Sequence, residues 1–436
     1  MRRKGHDRGD RSARHWRTGL LGPLDDGPFR LLWLAATTSA VGSAFVPVAL
    51  AFAVLGNGGN ATSLGLVLLA GAVAGVASYQ VAGVWADRLS RRNLMLGADI
   101  MRMLVEVAVA VLLFTRRAQI WELGAASALT AIASAVEATA AVGLIAQIVP
   151  PDRLQKANSL LSVSNSGASV AGPALSGLLV AAAGTGWAFA ADAASFAGSA
   201  AFLLAMPALG KVHTERQRFF AELAAGWREV TSRSWAWSTL IGNAFSNMAF
   251  AVFLVLGPVV ALQRLSGASG WGFISSGMTA GTLISGFIAM LYKARRPIAF
   301  GMAACMLTAL PMLALAARLP LYLVVVSSVV GMLGVLVLNT NWDTVIQQVI
   351  PNELLSRFRS YDYLIAFVAI PVGYAIAGPL ESAFGADKVL YSAGALAVVA
   401  NAVPAVLPMV RAVVRHPDGT ITGPSKDFTR QAHKLA

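Results

Sequence analysis

Twelve predominantly apolar stretches of about 20 residues or more follow one another along this 436-residue chain. An α-helix needs about 20 apolar residues to cross a hydrocarbon core of about 30 Å. Helices also satisfy their own backbone donors and acceptors where no water can. The spans are predicted at 29 to 55, 62 to 84, 94 to 115, 119 to 149, 158 to 183 and 187 to 206, then at 236 to 263, 271 to 291, 298 to 317, 321 to 349, 358 to 383 and 388 to 410. Most links between them are short, which leaves no room for a soluble domain. The composition agrees: 56% of residues are hydrophobic and 13% are charged, against about 25% charged in a soluble domain. The expected fold is an all-α polytopic membrane protein with twelve transmembrane helices.

A net charge of +13 on a soluble surface would suggest nucleic acid, so its distribution along the chain decides the matter. With both termini placed inside, 28 of the 34 lysines and arginines fall in tails and links on that side. Five fall outside (Arg116, Arg117, Arg264, Arg318 and Lys388), and Arg102 lies within a span. That asymmetry is the positive-inside pattern. It predicts a multi-pass protein of the cell inner membrane with cytoplasmic termini, whose macromolecular surroundings are lipid bilayer and not nucleic acid. Trp33, Trp85, Trp121, Trp187, Trp235, Trp237 and Trp271 fall near predicted span ends, as an aromatic belt requires. The single cysteine, Cys305, excludes a disulfide framework and reads as a small core residue. The basic start runs into a long apolar helix without a small-residue cleavage site, so it reads as a retained tail.

The two halves of the chain repeat each other. QIVP at 147–150 returns as QVIP at 348–351, an offset of 201 residues, and the same offset pairs Asp152 with Glu353, Lys156 with Arg357, Gly172 with Gly373 and Gly177 with Gly378. Two related six-helix bundles with a transport path between them are therefore expected. The organisation is a basic tail (1–28), a first bundle (29–206), a linker (207–235), a second bundle (236–410) and a second tail (411–436). In the linker, Phe219, Leu223, Trp227 and Val230 recur at helical spacing among charged residues, a pattern that predicts an amphipathic helix on the inner membrane surface.

Between the second and third spans lies GVWADRLSRR, with Gly83 first, Asp87 and Arg88 in the middle and Arg91 and Arg92 last. It resembles the loop between helices 2 and 3 of the major facilitator superfamily. The fifth span carries ASVAGPALSG, in which Gly172, Pro173, Ser176 and Gly177 make a small-residue face broken by proline. That segment resembles the antiporter signature of the same superfamily, with Ala168 and Ser176 where glycine is common. Together with FAADAASF at Phe189 to Phe196, these segments look most like the drug and siderophore exporter branch, which includes enterobactin-exporter-like and macrolide-efflux-like proteins. Lysophospholipid transporters share part of the pattern. The resemblance implies two pseudo-symmetric bundles, alternating access and export. It also implies that Asp87 latches the bundles with Arg88 and Arg92 in support and that Gly83 permits close packing. The second half keeps Gly286 and Arg295 but has Met290 opposite Asp87, which makes such a latch one-sided. A competing reading gives these arginines only a topological role.

Ionisable residues at membrane depth are costly and are candidate functional groups. Asp99, Arg102 and Glu106 share one face of the third span; they suit a structural triad that neutralises itself, and in the competing reading all three are candidate proton or substrate residues. Glu137 on the fourth span and Asp343 on the tenth have no cation within a helical turn. An unpaired carboxylate in low dielectric favours its neutral form, which suits a group that loads and releases a proton, so both are candidate proton or substrate sites. Asp362 is expected to pair with a nearby arginine, and Asp192 to make a structural polar contact. Asn165, Asn243, Asn247, Asn339, Asn341 and Trp342 are the candidate cavity residues. The five histidines lie outside the spans, and no Walker motif, HExxH pattern or GxSxG elbow occurs, which argues against an ATP-driven pump or a hydrolase. The expected protein is a monomeric secondary transporter, not an enzyme, that uses the proton gradient and neither cofactor nor metal to export a small amphipathic compound. A lipid transporter and a non-transporting sensor are the alternatives.

Overall fold

The structure is a computed structural model that describes residues 22–88, 90–207 and 233–424, with side chains undescribed at 79–88 and at seven positions between 352 and 367. The amphipathic linker helix expected within 207–235 lies almost wholly outside the described residues.

In the first half, α1 (Gly27–Ser43) and α2 (Val46–Gly56) together form one span. They are followed by α3 (Ala61–Arg88), α4 (Arg91–Phe114), α5 (Ile120–Ile148), α6 (Leu154–Ala183) and α7 (Thr185–Ala205). The second half has α8 (Ser234–Arg264) and α9 (Gly267–Leu291). Its ninth span is α10 (Pro297–Cys305) with α11 (Ala309–Ala316), and its tenth is α12 (Leu321–Gly331) with α13 (Val335–Val349). Then come α14 (Asn352–Phe384), α15 (Ala386–Val406) and the short α16 (Pro408–Arg411). Among the described residues eleven spans are apolar enough to cross a membrane by length and composition alone. The twelfth is α4, long enough at 24 residues but carrying Asp99, Arg102 and Glu106. An even number of spans places both ends of the described chain at one end of the molecule, the terminal end; the other is the far end.

The breaks within spans have identifiable causes. Pro47 sits in the first turn of α2, where the missing N–H interrupts the ladder from α1. Pro311 does the same beside the 3-10 turn Met306–Thr308 that joins α10 to α11. The segment GVWADRLSRR is no open loop: α3 continues through Arg88, and α4 begins at Arg91, with Ser90 as its N-cap accepting a hydrogen bond from the Asn93 N–H. Helix-compatible residues continue through the interface, so only Leu89 and Ser90 connect the two helices.

Two pairs of glycines make the repeat visible in space. A Cβ on Gly172 (α6) would strike Ala44 beside α2, and one on Gly373 (α14) would strike the Met248 carbonyl of α8. Each fifth helix of a half thus packs on the first span of its own half. A Cβ on Gly177 would strike α9 of the other half, and one on Gly378 would strike Thr62 of α3. The turns that follow these helices also correspond: Gly184 and Gly385, 201 residues apart, have φ of 95° and 83°, a conformation glycine adopts without a Cβ penalty.

At the far end a single hydrophobic core runs through both halves, from Val48–Val54 of α2 to Val252–Ala261 of α8 and Trp271 of α9. At the terminal end each half has its own core, around Leu32, Met95 and Leu144 in the first and around Trp235, Ile346 and Phe358 in the second. The second is completed by the tail, which is not simply an extension. Beyond α16, β1 (Val414–Arg415) pairs antiparallel with β2 (Ile421–Thr422), and Val413 and Ile421 are buried in that core. Of the tryptophans expected in an aromatic belt, Trp121 and Trp187 are exposed, whereas Trp235 and Trp271 are buried. Helix packing at the terminal end and the cavity wall, not the interface, claim those two rings.

Candidate functional site

Between the halves lies a cavity of about 1170 Å³. Its walls come from α1 to α7 on one side and from α8, α9, α10, α13 and α14 on the other. The far end is shut by helix contacts that only small residues allow. Gly177 meets Ala268 and Gly272, Gly272 meets the Pro173 carbonyl, and Gly65 meets the Tyr374 carbonyl. The Ser276 hydroxyl accepts a hydrogen bond from the Ala174 N–H at 2.9 Å across the same seam. Gly172, Pro173, Ser176 and Gly177 are all buried, and Ser176 donates to the Phe45 carbonyl at 2.7 Å. The antiporter-like segment is therefore the joint between α6, the broken first span and the opposite half.

Of the amides expected in the cavity, Asn165, Asn243, Asn247 and Asn339 line it, as does Trp342. Asn341 does not. It is buried and accepts a hydrogen bond at 3.2 Å from Arg415 of the tail, because its neighbours Asn339 and Trp342 take the cavity-facing positions of α13.

The carboxylates are arranged differently from the expectation. Glu137 is not unpaired: its Oε2 accepts from Arg102 Nη1 at 2.5 Å, with side chains 19% and 8% exposed. Arg102 also donates to the Ser134 hydroxyl and stands over the Phe196 ring, 5.0 Å from its centroid. Among the described residues Arg102 makes no direct ion pair with Asp99 or Glu106, since the guanidinium reaches across to α5, although its charge still acts on both. Asp99 instead accepts from the Ser199 hydroxyl of α7 at 2.6 Å, and Glu106 Oε2 has no hydrogen-bond partner among the described residues. Asp343 is paired too, with Arg359 of α14 at 2.5 Å. Arg359 also lies 3.6 Å from Asp362, which accepts from Trp342 Nε1 at 2.9 Å. Both mispredictions share one cause: helical spacing reports cations on the same helix, whereas these cations come from neighbouring ones.

Asp192 is the residue that sequence reasoning undervalued. It is 1% exposed, lines the cavity, and packs against Gly42 of α1, with the Ser195 hydroxyl as its one side-chain donor among the described residues. A carboxylate within an otherwise apolar run was the available signal. Thr130, Ser134 and Trp271 also join the wall.

The segment between α3 and α4 divides in two. Arg91 donates to the Gly143 carbonyl of α5 at 2.6 Å, and Arg92 donates to the Leu203 and Leu204 carbonyls at 2.7 and 2.8 Å. Arg92 thus caps the C-terminus of α7, where a cation also meets the negative end of the helix dipole. Both arginines therefore tie the first half together, and neither supports a contact between halves. Gly83, Asp87 and Arg88 lie on the last turns of α3, and the side chains there lie outside the described residues.

Residues 32–374 match the family model of the Major Facilitator Superfamily. The multidrug efflux pump Tap of Mycolicibacterium fortuitum is 24% identical over 401 residues, covering 88% of this chain and 97% of that protein. Among solved structures, the nucleoside transporter NupG superposes with a TM-score of 0.67 at 15% identity, covering 87% of this chain and 98% of that one. A bacterial homologue of the human lysosomal transporter Spinster, inward-facing and unoccupied, gives 0.63 at 15% identity, with coverage of 87% and 94%.

Proposed function

The chain belongs to the Major Facilitator Superfamily and is a multi-pass membrane transporter, and from that membership we propose that it exports a small amphipathic compound by proton-coupled alternating access. The observation that carries this reading is the cavity between the halves, shut at the far end by glycine-mediated helix contacts, with a separate core for each half at the terminal end. A rigid-body movement of one half against the other separates the glycine seam and closes the terminal end. The lysine and arginine asymmetry supports cytoplasmic termini, so the described state is the one open to the cytoplasm. Likeness to the efflux pump Tap supports outward movement of substrate.

Proton coupling rests on the first half's wall. A buried carboxylate without a partner is costly as an anion, and Glu106 is in that position while Glu137 is held by Arg102. Glu106 is accordingly the proposed proton carrier, with Asp192 beside it. Asp87 is proposed to bias the two states from the end of α3, with Gly83 and Arg88 on the same turns.

Inverted membrane vesicles containing the protein provide the test, with ethidium, Nile red and fluorescein as cationic, neutral and anionic probes. Acid-interior vesicles should accumulate at least one probe, and collapsing the pH gradient should abolish that accumulation. Accumulation that survives the collapse would remove proton coupling. For the gate, Asn165→Cys in a Cys305→Ser background should label faster or slower when Asp87→Asn is added; an unchanged rate would refute the role of Asp87.

A further inference from the structure

The charge balance of the first half's cavity wall is uneven. Around Arg102 stand four carboxylates, Asp99, Glu106, Glu137 and Asp192, near enough for their charges to interact with it or with one another. Glu137 takes the guanidinium and Asp99 takes the Ser199 hydroxyl. The two carboxylates that line the cavity are left with little. Glu106 is 2% exposed with Oε2 unpartnered, and Asp192 is 1% exposed with one hydroxyl donor. An ionised carboxylate is an acceptor-only group with about four lone-pair sites, so this pair presents acceptors without donors to the cavity.

The facing wall has a different chemistry. Counted along the helices at about 1.5 Å per residue, Glu106, Asp192 and Phe250 all lie roughly 20 to 24 Å from the terminal end. Phe250 and Trp271 of the second half line the cavity there and beyond, and both pack against Phe253. A ligand spanning this depth meets these acceptors on one side and, on the other, the aromatic faces together with the Asn247 amide and the Ser275 hydroxyl.

We propose that Glu106 and Asp192 recognise the ammonium group of an amphipathic amine, whose apolar body lies against Phe250 and Trp271. The inference rests on the transport reading of the cavity and names the substrate class that cavity takes. An ammonium supplies both the charge and the N–H donors that Glu106 Oε2 lacks. A quaternary ammonium supplies charge alone, and a neutral amide supplies a donor alone. Among the described residues no cluster of His, Cys, Asp or Glu is arranged to hold a metal ion, which favours an organic cation over an inorganic one. Because the contacts fall on opposite halves, the bound amine bridges the two bodies that move.

Equilibrium binding to the purified full-length protein, near neutral pH and without any gradient, tests this independently of transport. The probe is monodansylcadaverine, a primary amine with an aromatic body, compared with its N-acetyl and N,N,N-trimethyl derivatives. The amine should bind at least about tenfold more tightly than the acetylated form, as expected for hydrogen bonds to a charged group, and more tightly than the trimethyl form. Glu106→Gln and Asp192→Asn should each reduce that preference to about threefold or less, whereas Asp387→Asn, far from the cavity, should retain it. Should either amide variant fail to elute as a folded species, Glu106→Asp keeps the charge and should keep a preference for the amine over the acetylated form. Equal binding of all three probes, no binding of any, or an undiminished preference in Glu106→Gln overturns the proposal. If binding behaves as expected but vesicles accumulate nothing, it is the transport reading that fails.

Discussion

Gly177 in α6 and Gly272 in α9 face each other so closely that a Cβ built on either would lie 3.1 Å from the Cα of the other. The two residues belong to different halves, and their contact is part of what shuts the far end of the cavity. Backbone packs against backbone here, so opening the far end must part this seam together with the hydrophobic core that runs through both halves.

Gly177→Val should therefore act on the closed far end more than on the folding of either half. Forcing extra methyl groups into a packed contact costs about 1 to 3 kcal/mol, charged here to one state of the cycle. Transport should fall by about tenfold, the equivalent of about 1.4 kcal/mol, while the protein still reaches the membrane. Labelling of Asn165→Cys from the far side, in the Cys305→Ser background, should rise. Unchanged labelling and transport would show that the seam tolerates a side chain.

The Arg102 and Glu137 pair offers a double-mutant test. Removing one partner of a buried pair leaves an uncompensated charge and costs about 3 to 5 kcal/mol, whereas replacing both together is close to neutral. Arg102→Met should thus lower thermal stability in detergent strongly, and adding Glu137→Gln should restore more than half of the loss. Additive losses would mean the two side chains do not act as a pair.

Around Arg359 the same logic gives unequal effects. Asp343 is 50% exposed, so Asp343→Asn should cost less than about 1 kcal/mol, as for surface ion pairs. Trp342→Phe removes the indole donor from the buried Asp362 and should cost about 1.5 to 3 kcal/mol, the range for a hydrogen bond to a charged group. Thermal unfolding of the two variants side by side checks the order, and the reverse order would contradict the geometry.

The tail hairpin should contribute to the stability of the second half. Gln348 Oε1 accepts from the Ile421 N–H at 2.8 Å, and the Arg415 N–H donates to the Arg295 carbonyl at 2.8 Å. Gln348→Ala leaves a partly buried donor unsatisfied, at about 1 to 3 kcal/mol. Ile421→Ala empties a buried site, at about 2 kcal/mol or more. Limited proteolysis should cut the tail faster in both variants; equal rates would show that the hairpin is not anchored there.

How far the site was legible varied with the kind of contact involved. Asn165, Asn243 and Asn247 were placed on the cavity because amides within apolar runs stand out, and the structure puts them there. Asn341 has the same local signal but is claimed by Arg415, 74 residues away in sequence. Glu137 and Asp343 looked unpaired because each partner sits on another helix. Asp192 looked like a structural contact because nothing in its own segment shows that the first span, bent before Pro47, brings Gly42 against it.

From the sequence alone follow the number of spans, the family and the internal repeat, for a physical reason. Span length answers to bilayer thickness and each helix closes its own hydrogen bonds, so these features are local, while the 201-residue offset needs only comparison of the chain with itself. Tertiary structure decided which charges meet, which end of the cavity is shut, and that the tail folds back as a hairpin. Those outcomes depend on which faces of neighbouring helices are turned toward one another, and glycine seams such as Gly177 on Gly272 set that arrangement.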